Sequence, residues 1–426
     1  MNDRSIARLA AVAVASLGLV SGVGAESVTE LASNRIFVHA IAPLTGAPIR
    51  NVDSVDWSER ANLLIFDRRG LNQYYNIFSI TPEGFRLGSL TLERGGGITD
   101  LHNCTPAWHP SGRYFVFAGQ NRGSTDYRRS GPGHGWHCNL WLADRDGSQF
   151  WQLTEQPTRY NNPRGATAAV FSPDGRWLFW TGFTGADAAM TPYEQRDLRL
   201  AEFSLAGGRP RLSNEQVFQP GVRREFYESY GFSPDGSRLL FAANTAERQP
   251  WYCMDICALD RGQSEPILLA SNPGGWDRYA AYSPDGRKIV WSSSRTFSIP
   301  FLGQGGTRWM AYLRSELWVM DADGNNPKQL TFFNRPGAPE SNGRRAFIGD
   351  LAWSPDGNRL AVVLYRETRN FDVESQILIV SLGRDAPTTR SVATAPDEPA
   401  AEAAAAPEAA PAERRPPAGP PAAPRW

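Results

Sequence analysis

One phrase recurs along this chain: an aromatic residue, Ser-Pro-Asp-Gly, a polar or basic pair and an apolar run. It reads VFSPDGRWLFW up to Trp180, GFSPDGSRLLF up to Phe241, AYSPDGRKIVW up to Trp291 and AWSPDGNRLAV up to Val362, and AWHPSGRYFVF, ending at Phe117, is a drifted copy. Aligned on the aromatic, the copies open at Trp57, Trp108, Phe171, Phe232, Tyr282 and Trp353, at intervals of 51, 63, 61, 50 and 71 residues. Seven residues on stand Leu64, Phe115, Leu178, Leu239, Ile289 and Leu360, and nine on stand Phe66, Phe117, Trp180, Phe241, Trp291 and Val362. Apolar residues at both places are the period-two mark of a strand with one buried face. Pro, Asp and Gly between aromatic and strand make a turn: Pro presets φ, Asp bonds back to the backbone and Gly accepts positive φ. The first copy, WSERANLLIF, lacks Pro and Gly, and Asn62 is the residue expected to turn left-handed there.

A second hairpin follows in most copies. ELWVMDADGNNPKQLT and NLWLADRDGSQFWQLT match closely, and DICALDRGQSEPILLA and LRLAEFSLAGGRPRL are looser versions. Each repeat is then four antiparallel strands, A to D, which is a propeller blade. Six aromatic openings predict six blades, an all-β ring. The sixth has A, B and a C strand, QILIVSL, but no D before the Pro/Ala-rich tail begins. The orphan segment RIFVHA (Arg35 to Ala40) is expected to supply that strand and close the ring, hiding the open edges.

These hairpins resemble those of the TolB-like six-bladed β-propeller family, over roughly Arg35 to Gly383. The resemblance implies the fold; folds host many activities, so it implies little about function. TolB carries an additional α/β domain before its propeller, whereas about ten residues separate the expected cleavage site from the first strand here. Dipeptidyl-peptidase relatives add a hydrolase domain, but the chain has no Gly-x-Ser-x-Gly elbow, so serine-peptidase activity is not expected.

Lys+Arg and Asp+Glu are each 44, giving zero net charge, which argues against a nucleic-acid partner. At the N-terminus Arg4 and Arg8 flank the apolar run Leu9 to Val20, and VGA at Val23 to Ala25 offers a cleavage site. Residues 1–25 therefore read as a signal peptide, with no transmembrane segment after cleavage and a periplasmic or secreted mature chain. In that oxidising space Cys104, Cys138, Cys253 and Cys257 are disulfide candidates. Four cysteines allow three pairings; Cys104–Cys138 with Cys253–Cys257 is preferred because each pair falls within one repeat. Residues 26–383 form the propeller, and 384–426, rich in Pro and Ala, read as a disordered tail.

In a blade the A–B and C–D turns share one rim, and here they are short. The B–C loops and D–A links share the other and are long, as at 118–138, 293–315 and 332–349. Long loops on a rigid scaffold are where function usually sits. The ends of the links should ring the channel mouth, bringing Arg164, Arg223, Arg224, Arg278, Arg344 and Arg345 to Tyr227, Trp276 and Tyr279. Arginine forks suit carboxylates and aromatic faces stack on ligands. Glu225, Glu228, Asp277 and Asp350 stand beside them, and in that pairing the same residues are inter-blade salt bridges. His102, His134 and His137 fall in loops of the second blade and are the alternative, a metal set. The turns DRDG and DADG lack the rest of a calcium loop, and Cys253 and Cys257 lack redox-motif spacing.

The sequence thus predicts an exported, non-catalytic, monomeric propeller, without a cofactor, that binds a protein or cell-envelope ligand through its long-loop face. The alternative is a lyase or hydrolase acting on an anionic carbohydrate. It is similar, by residue type, to the oligogalacturonate lyases, which use a His-held divalent metal and arginines for uronate carboxylates.

Overall fold

The structure, a computed structural model, describes residues 36–383 except 46–47, 126–128, 160–162, 186–194, 222–225, 245–248, 251, 273, 300–307 and 371, together with 391–392. The strands form six sheets. Blade 1 holds β2 (Val52–Ser58), β3 (Leu63–Arg69), β4 (Tyr75–Ile80) and β5 (Gly88–Ser89); blade 2 holds β6 (Asn103–Trp108), β7 (Tyr114–Gln120), β8 (Cys138–Asp144) and β9 (Phe150–Gln152). Blade 3 holds β10 (Gly165–Phe171), β11 (Trp177–Gly185), β12 (Gln195–Ala206) and β13 (Arg209–Phe218); blade 4 holds β14 (Tyr227–Phe232), β15 (Arg238–Ala243), β16 (Asp255–Asp260) and β17 (Ile267–Ala270). Blade 5 holds β18 (Asp277–Tyr282), β19 (Lys288–Ser293), β20 (Glu316–Asp321) and β21 (Lys328–Gln329), with one 3-10 turn, Arg308–Tyr312, in its β19–β20 loop. Blade 6 takes β22 (Ala346–Trp353), β23 (Arg359–Glu367) and β24 (Val373–Gly383) from the end of the chain, then β1 (Phe37–Pro43) from its start. The expected latch forms: β1 runs antiparallel to β24, from Phe37↔Gly383 to Pro43↔Leu378. Ser391–Val392 adds β25, parallel to β1, beyond it.

The repeat sets one register everywhere. The opening aromatic pairs with the residue seven on in all six blades: Trp57↔Leu64, Trp108↔Phe115, Phe171↔Leu178, Phe232↔Leu239, Tyr282↔Ile289 and Trp353↔Leu360. The residues seven and nine on are buried, as expected. The residues between them, Ile65, Val116, Phe179, Leu240, Val290 and Ala361, are buried too. This corrects the one-faced expectation. Each sheet is packed between two neighbours, so its second strand hides both faces, as strands covered on both sides do. Asn62 takes φ +51°, the left-handed turn expected of it.

The disulfide expectation is not met: all four cysteines are buried thiols. Cys104 and Cys138 do pack together, with Ala118, on the two strands flanking β7. Cys253 and Cys257 face different cores, Cys253 among Met254 and Trp276, Cys257 among Tyr227 and Phe241. Sharing a repeat did not bring them together, because the blade separates those two cores.

Candidate functional site

The innermost strands β2, β6, β10, β14, β18 and β22 line the central channel, and every one carries a register shift a few residues before its aromatic. The residue three before the aromatic, Ser54, Thr105, Ala168, Ser229, Tyr279 or Asp350, comes from each blade to a cavity of about 120 Å³. Thr105, Ala168 and Tyr279 hold φ of +50°, +51° and +53° there. A bulge leaves backbone N–H groups outside the ladder, and a buried N–H must find an acceptor.

Side chains meet that need across blade boundaries. Asp67 on β3 accepts the Thr105 N–H at 2.9 Å, Asp56 on β2 accepts the Trp108 N–H at 2.7 Å, and Asp350 on β22 accepts the Val55 N–H at 3.0 Å. Thr181 Oγ1 accepts the Ser229 N–H at 2.9 Å. Burial raises the carboxyl pKa of Asp56, Asp67 and Asp350. Asp53 stands among them, bonded by the Tyr365 hydroxyl. Burial first, and the Asp67 charge second, push its carboxyl up to about 7.

Towards the long-loop rim the channel continues into a second cavity, of about 60 Å³, which shares Asp53, Gly133 and Tyr279 with the first. Pro132 to His134, from the β7–β8 loop, and Met310 and Leu313, from the β19–β20 loop, form part of its wall. Arg278 is bound edge-on by Glu228, its Nε donating at 2.7 Å and its Nη2 to the second oxygen. Tyr230 donates to the same carboxylate at 2.7 Å. Burial alone would raise the Glu228 pKa, but the Arg278 charge turns the shift downward. Arg196, fully buried, lies between the Phe183 and Phe226 rings at 4.8 and 4.2 Å and donates to the Gly133 carbonyl at 2.6 Å. Burial, then the charges of Arg196 and Arg278, hold the His134 pKa down to about 3.

No family model matches the chain. Among solved structures it is similar to a putative TolB from Agrobacterium tumefaciens, at 15% identity and a TM-score of 0.50, over 78% of this chain and 98% of that one. Its fold is that of a TolB-like propeller. It is also similar to TolB from Acinetobacter baumannii, at 13% identity and a TM-score of 0.41, spanning 65% of that chain, and to puromycin hydrolase, at 14% and 0.44, spanning 51%. The likeness to the Agrobacterium protein bears on the fold alone.

The TolB-like propeller gathers fewer of the expected mouth residues than the links suggested. Trp276, Arg278 and Tyr279 line the inner cavity, and Glu228 lies on the channel side of Arg278. Asp277 is fully buried and accepts the Trp291 indole N–H at 3.0 Å; burial pushes its carboxyl up to about 6. Tyr227 donates to the Pro220 carbonyl. Arg345 grips the Met310 and Leu313 carbonyls at 3.0 and 3.3 Å, a strut for the wall rather than part of it, and Arg344 donates to the Thr368 carbonyl. Arg164 is half-buried and lines neither cavity. Arg223, Arg224 and Glu225 lie outside the described residues. Among the described residues no three His, Cys, Asp or Glu side chains are grouped to hold an ion. His102 sits against the Tyr74 and Tyr75 rings, His137 is buried beside Trp136, and only His134 reaches the inner cavity.

Arg196 and Asp53 were missed. Arg196 lies on β12, not in one of the links whose ends were expected to ring the mouth. The signal was present in QRDLRL: Arg196 shares the period-two face of Leu198 and Leu200, both buried. A charge on a buried face needs a reason.

Proposed function

We propose that this protein is an exported, non-catalytic TolB-like propeller that binds a protein or cell-envelope ligand through its long-loop rim. The observation that carries this reading is the inner cavity, where arginines and aromatic rings from four blades meet at the long-loop end of the channel. Two of the exposed large apolar side chains, Leu71 in the β3–β4 loop and Tyr312 in the β19–β20 loop, stand on the same rim. A rigid ring presenting varied loops is a common way to build a recognition surface. Export is inferred from the N-terminal signal sequence, residues 1–25, which lies outside the described residues. No helix among the described residues is long and apolar enough to cross a membrane.

Photo-crosslinking in intact cells tests the reading. A photoreactive residue replacing Leu71 or Tyr312 should capture a discrete partner, and one replacing Asp146 or Asp323, exposed on the short-turn rim, should not. The reverse pattern would move the binding face to the other rim. Fractionation of the cells tests export, which fails if the protein stays in the cytoplasm with residues 1–25 attached.

A further inference from the structure

Blade 1 exposes apolar side chains in a turn that does not need them. Its β4–β5 turn, TPEGFR (81–86), is built like the turns DRDGSQ (144–149) and DADGNN (321–326): in each the Gly N–H donates to the carbonyl of the first residue, at 2.9, 3.0 and 2.9 Å. After that Gly the other two place Ser148 and Asn325, whose side chains donate to turn carboxylates at 2.6 and 2.8 Å. Blade 1 places Phe85 there, 70% exposed, with Leu87 47% exposed two residues on. Between them Arg86 is exposed and forms no ion pair among the described residues. Arg86 holds φ +58°, where blade 5 uses Asn326, at +54°; that region suits Asn and is uncommon for a long side chain. The sister turns show that the fold does not require these three side chains. A segment that covers them would.

The chain itself approaches this turn. β25 lies on the open edge of β1 and runs parallel to it, Ser391 beside Ala40 and Val392 beside Ile41. The line of β1 continues through Leu44, whose N–H reaches the Ile377 carbonyl of β24 at 3.2 Å. The blade 1 turn packs on that end: a methyl group on Gly84 would meet the Leu44 carbonyl oxygen at 2.5 Å and Thr45 Cγ2 at 2.9 Å. Extended chain advances ~3.3 Å per residue, so the same register carried past Val392 brings Ala395 and Pro396 beside Leu44 and Thr45. Asp397, Glu398 and Pro399 come next, at the turn.

We propose that residues 393–402, ATAPDEPAAE, dock along this path, with Pro396 and Pro399 on Phe85 and Leu87 and the carboxylates of Asp397 and Glu398 against Arg86. Proline rings pack on aromatic faces, and an extended Pro-containing segment loses little freedom on docking. Charge selects this part of the tail. Beyond Val392 two carboxylates stand side by side only at Asp397 and Glu398, whereas the later pair Arg414 and Arg415 would be repelled by Arg86. The docked segment covers the free edge of β1 and the seam where the first and last blades meet. It lies on the outer strands, away from the channel, so it does not depend on the long-loop reading.

Photo-crosslinking of the full mature chain, purified and dilute, tests this, with Phe85 replaced by p-benzoylphenylalanine. The linked peptide, identified by mass spectrometry, should come from 393–402 of the same chain. Arg86→Glu should lower the yield about threefold, the scale of one exposed ion pair, and Asp397→Arg with Glu398→Arg added to it should restore the yield. Phe85 and Arg86 are exposed, so unchanged melting should accompany these changes. Links spread evenly over 393–426 would mean a loose tether. Links to a second copy, rising with concentration, would assign the patch to self-association. Either result, no link at all, or a yield indifferent to Arg86→Glu would overturn the inference.

Discussion

The two rims of this ring solve opposite problems. On the short-turn rim four blades repeat one device atom for atom. Ser172, Ser233, Ser283 and Ser354 each donate through Oγ to the Asp two residues on, and each Oγ accepts the N–H five residues on, at 3.0, 3.0, 2.9 and 2.8 Å. The Gly of each turn holds φ between +68° and +72°. Even the drifted copy keeps the logic, with His109 Nδ1 and Ser111 Oγ in a hydrogen bond at 2.8 Å. At the long-loop end of the channel no two blades contribute alike: blade 3 supplies Arg196, blade 4 Met254, blade 5 Arg278 and blade 6 Phe347. What repeats is what every blade needs in order to fold. What differs has no such shared cause, and the recognition surface proposed above would supply one.

The largest effect should come from the unrepeated side. Glu228 is buried and Arg278 is only 13% exposed, so removing the arginine strands the Glu228 charge away from water. Arg278→Met should cost about 3–5 kcal/mol in chemical denaturation at pH 7, and adding Glu228→Gln should recover most of it. A cost below about 1 kcal/mol, the range of an exposed pair, would show that the pair is not a strut and would remove the strongest contrast between the rims.

A smaller effect separates the channel from both rims. The Asp53 carboxyl rises from 3.8 to about 7 on folding, so the folded state holds its proton more tightly. The stability this contributes is complete below pH 3.8 and is lost as pH climbs through 7. Between pH 5 and pH 8 the unmutated protein should therefore lose about 2–3 kcal/mol that Asp53→Asn retains. His134 has the opposite sign: its pKa falls from 6.5 to about 3, so its contribution is lost on acidification and is nearly complete at neutral pH. Asp277 is common to both proteins and cancels in the difference. Parallel pH profiles for the two proteins would mean that Asp53 is solvated, and that the channel is wetter than its lining suggests.

The sequence made the repeated parts legible because their causes are local. A turn is decided within six residues, and the aromatic and the residue seven on meet through that turn alone. Closure by Phe37–Pro43 was also readable, since one blade lacked a strand and one strand lacked a blade. The mouth was not readable to the same degree. Arg344 and Arg345 follow one another, yet one reaches the Thr368 carbonyl and the other the Met310 and Leu313 carbonyls, and no local pattern sets those directions. Arg196 enters the cavity from a third strand because the β7–β8 loop brings the Gly133 carbonyl to it from the neighbouring blade. Contacts between elements 63 residues apart are fixed by tertiary packing, which a one-dimensional pattern does not carry.

The smallest effect tests the repeated side. Replacing the turn serine by alanine removes one donor to the Asp and one acceptor for the N–H five residues on, while the Gly N–H to Ser C=O bond stays, at 2.8 Å in blades 3 to 5 and 2.9 Å in blade 6. Each loss should cost about 1 kcal/mol, the ordinary net worth of a hydrogen bond with an unsatisfied partner left behind. Because the geometry is nearly the same four times, Ser172→Ala, Ser233→Ala, Ser283→Ala and Ser354→Ala should agree within about 0.5 kcal/mol, and for sites this far apart the costs should add. Denaturant midpoints of the four single variants and the quadruple variant check both statements. A spread as wide as the one expected among the rim arginines would mean that the turns answer to their blades rather than to themselves, and the contrast between a shared and an individual rim would be lost.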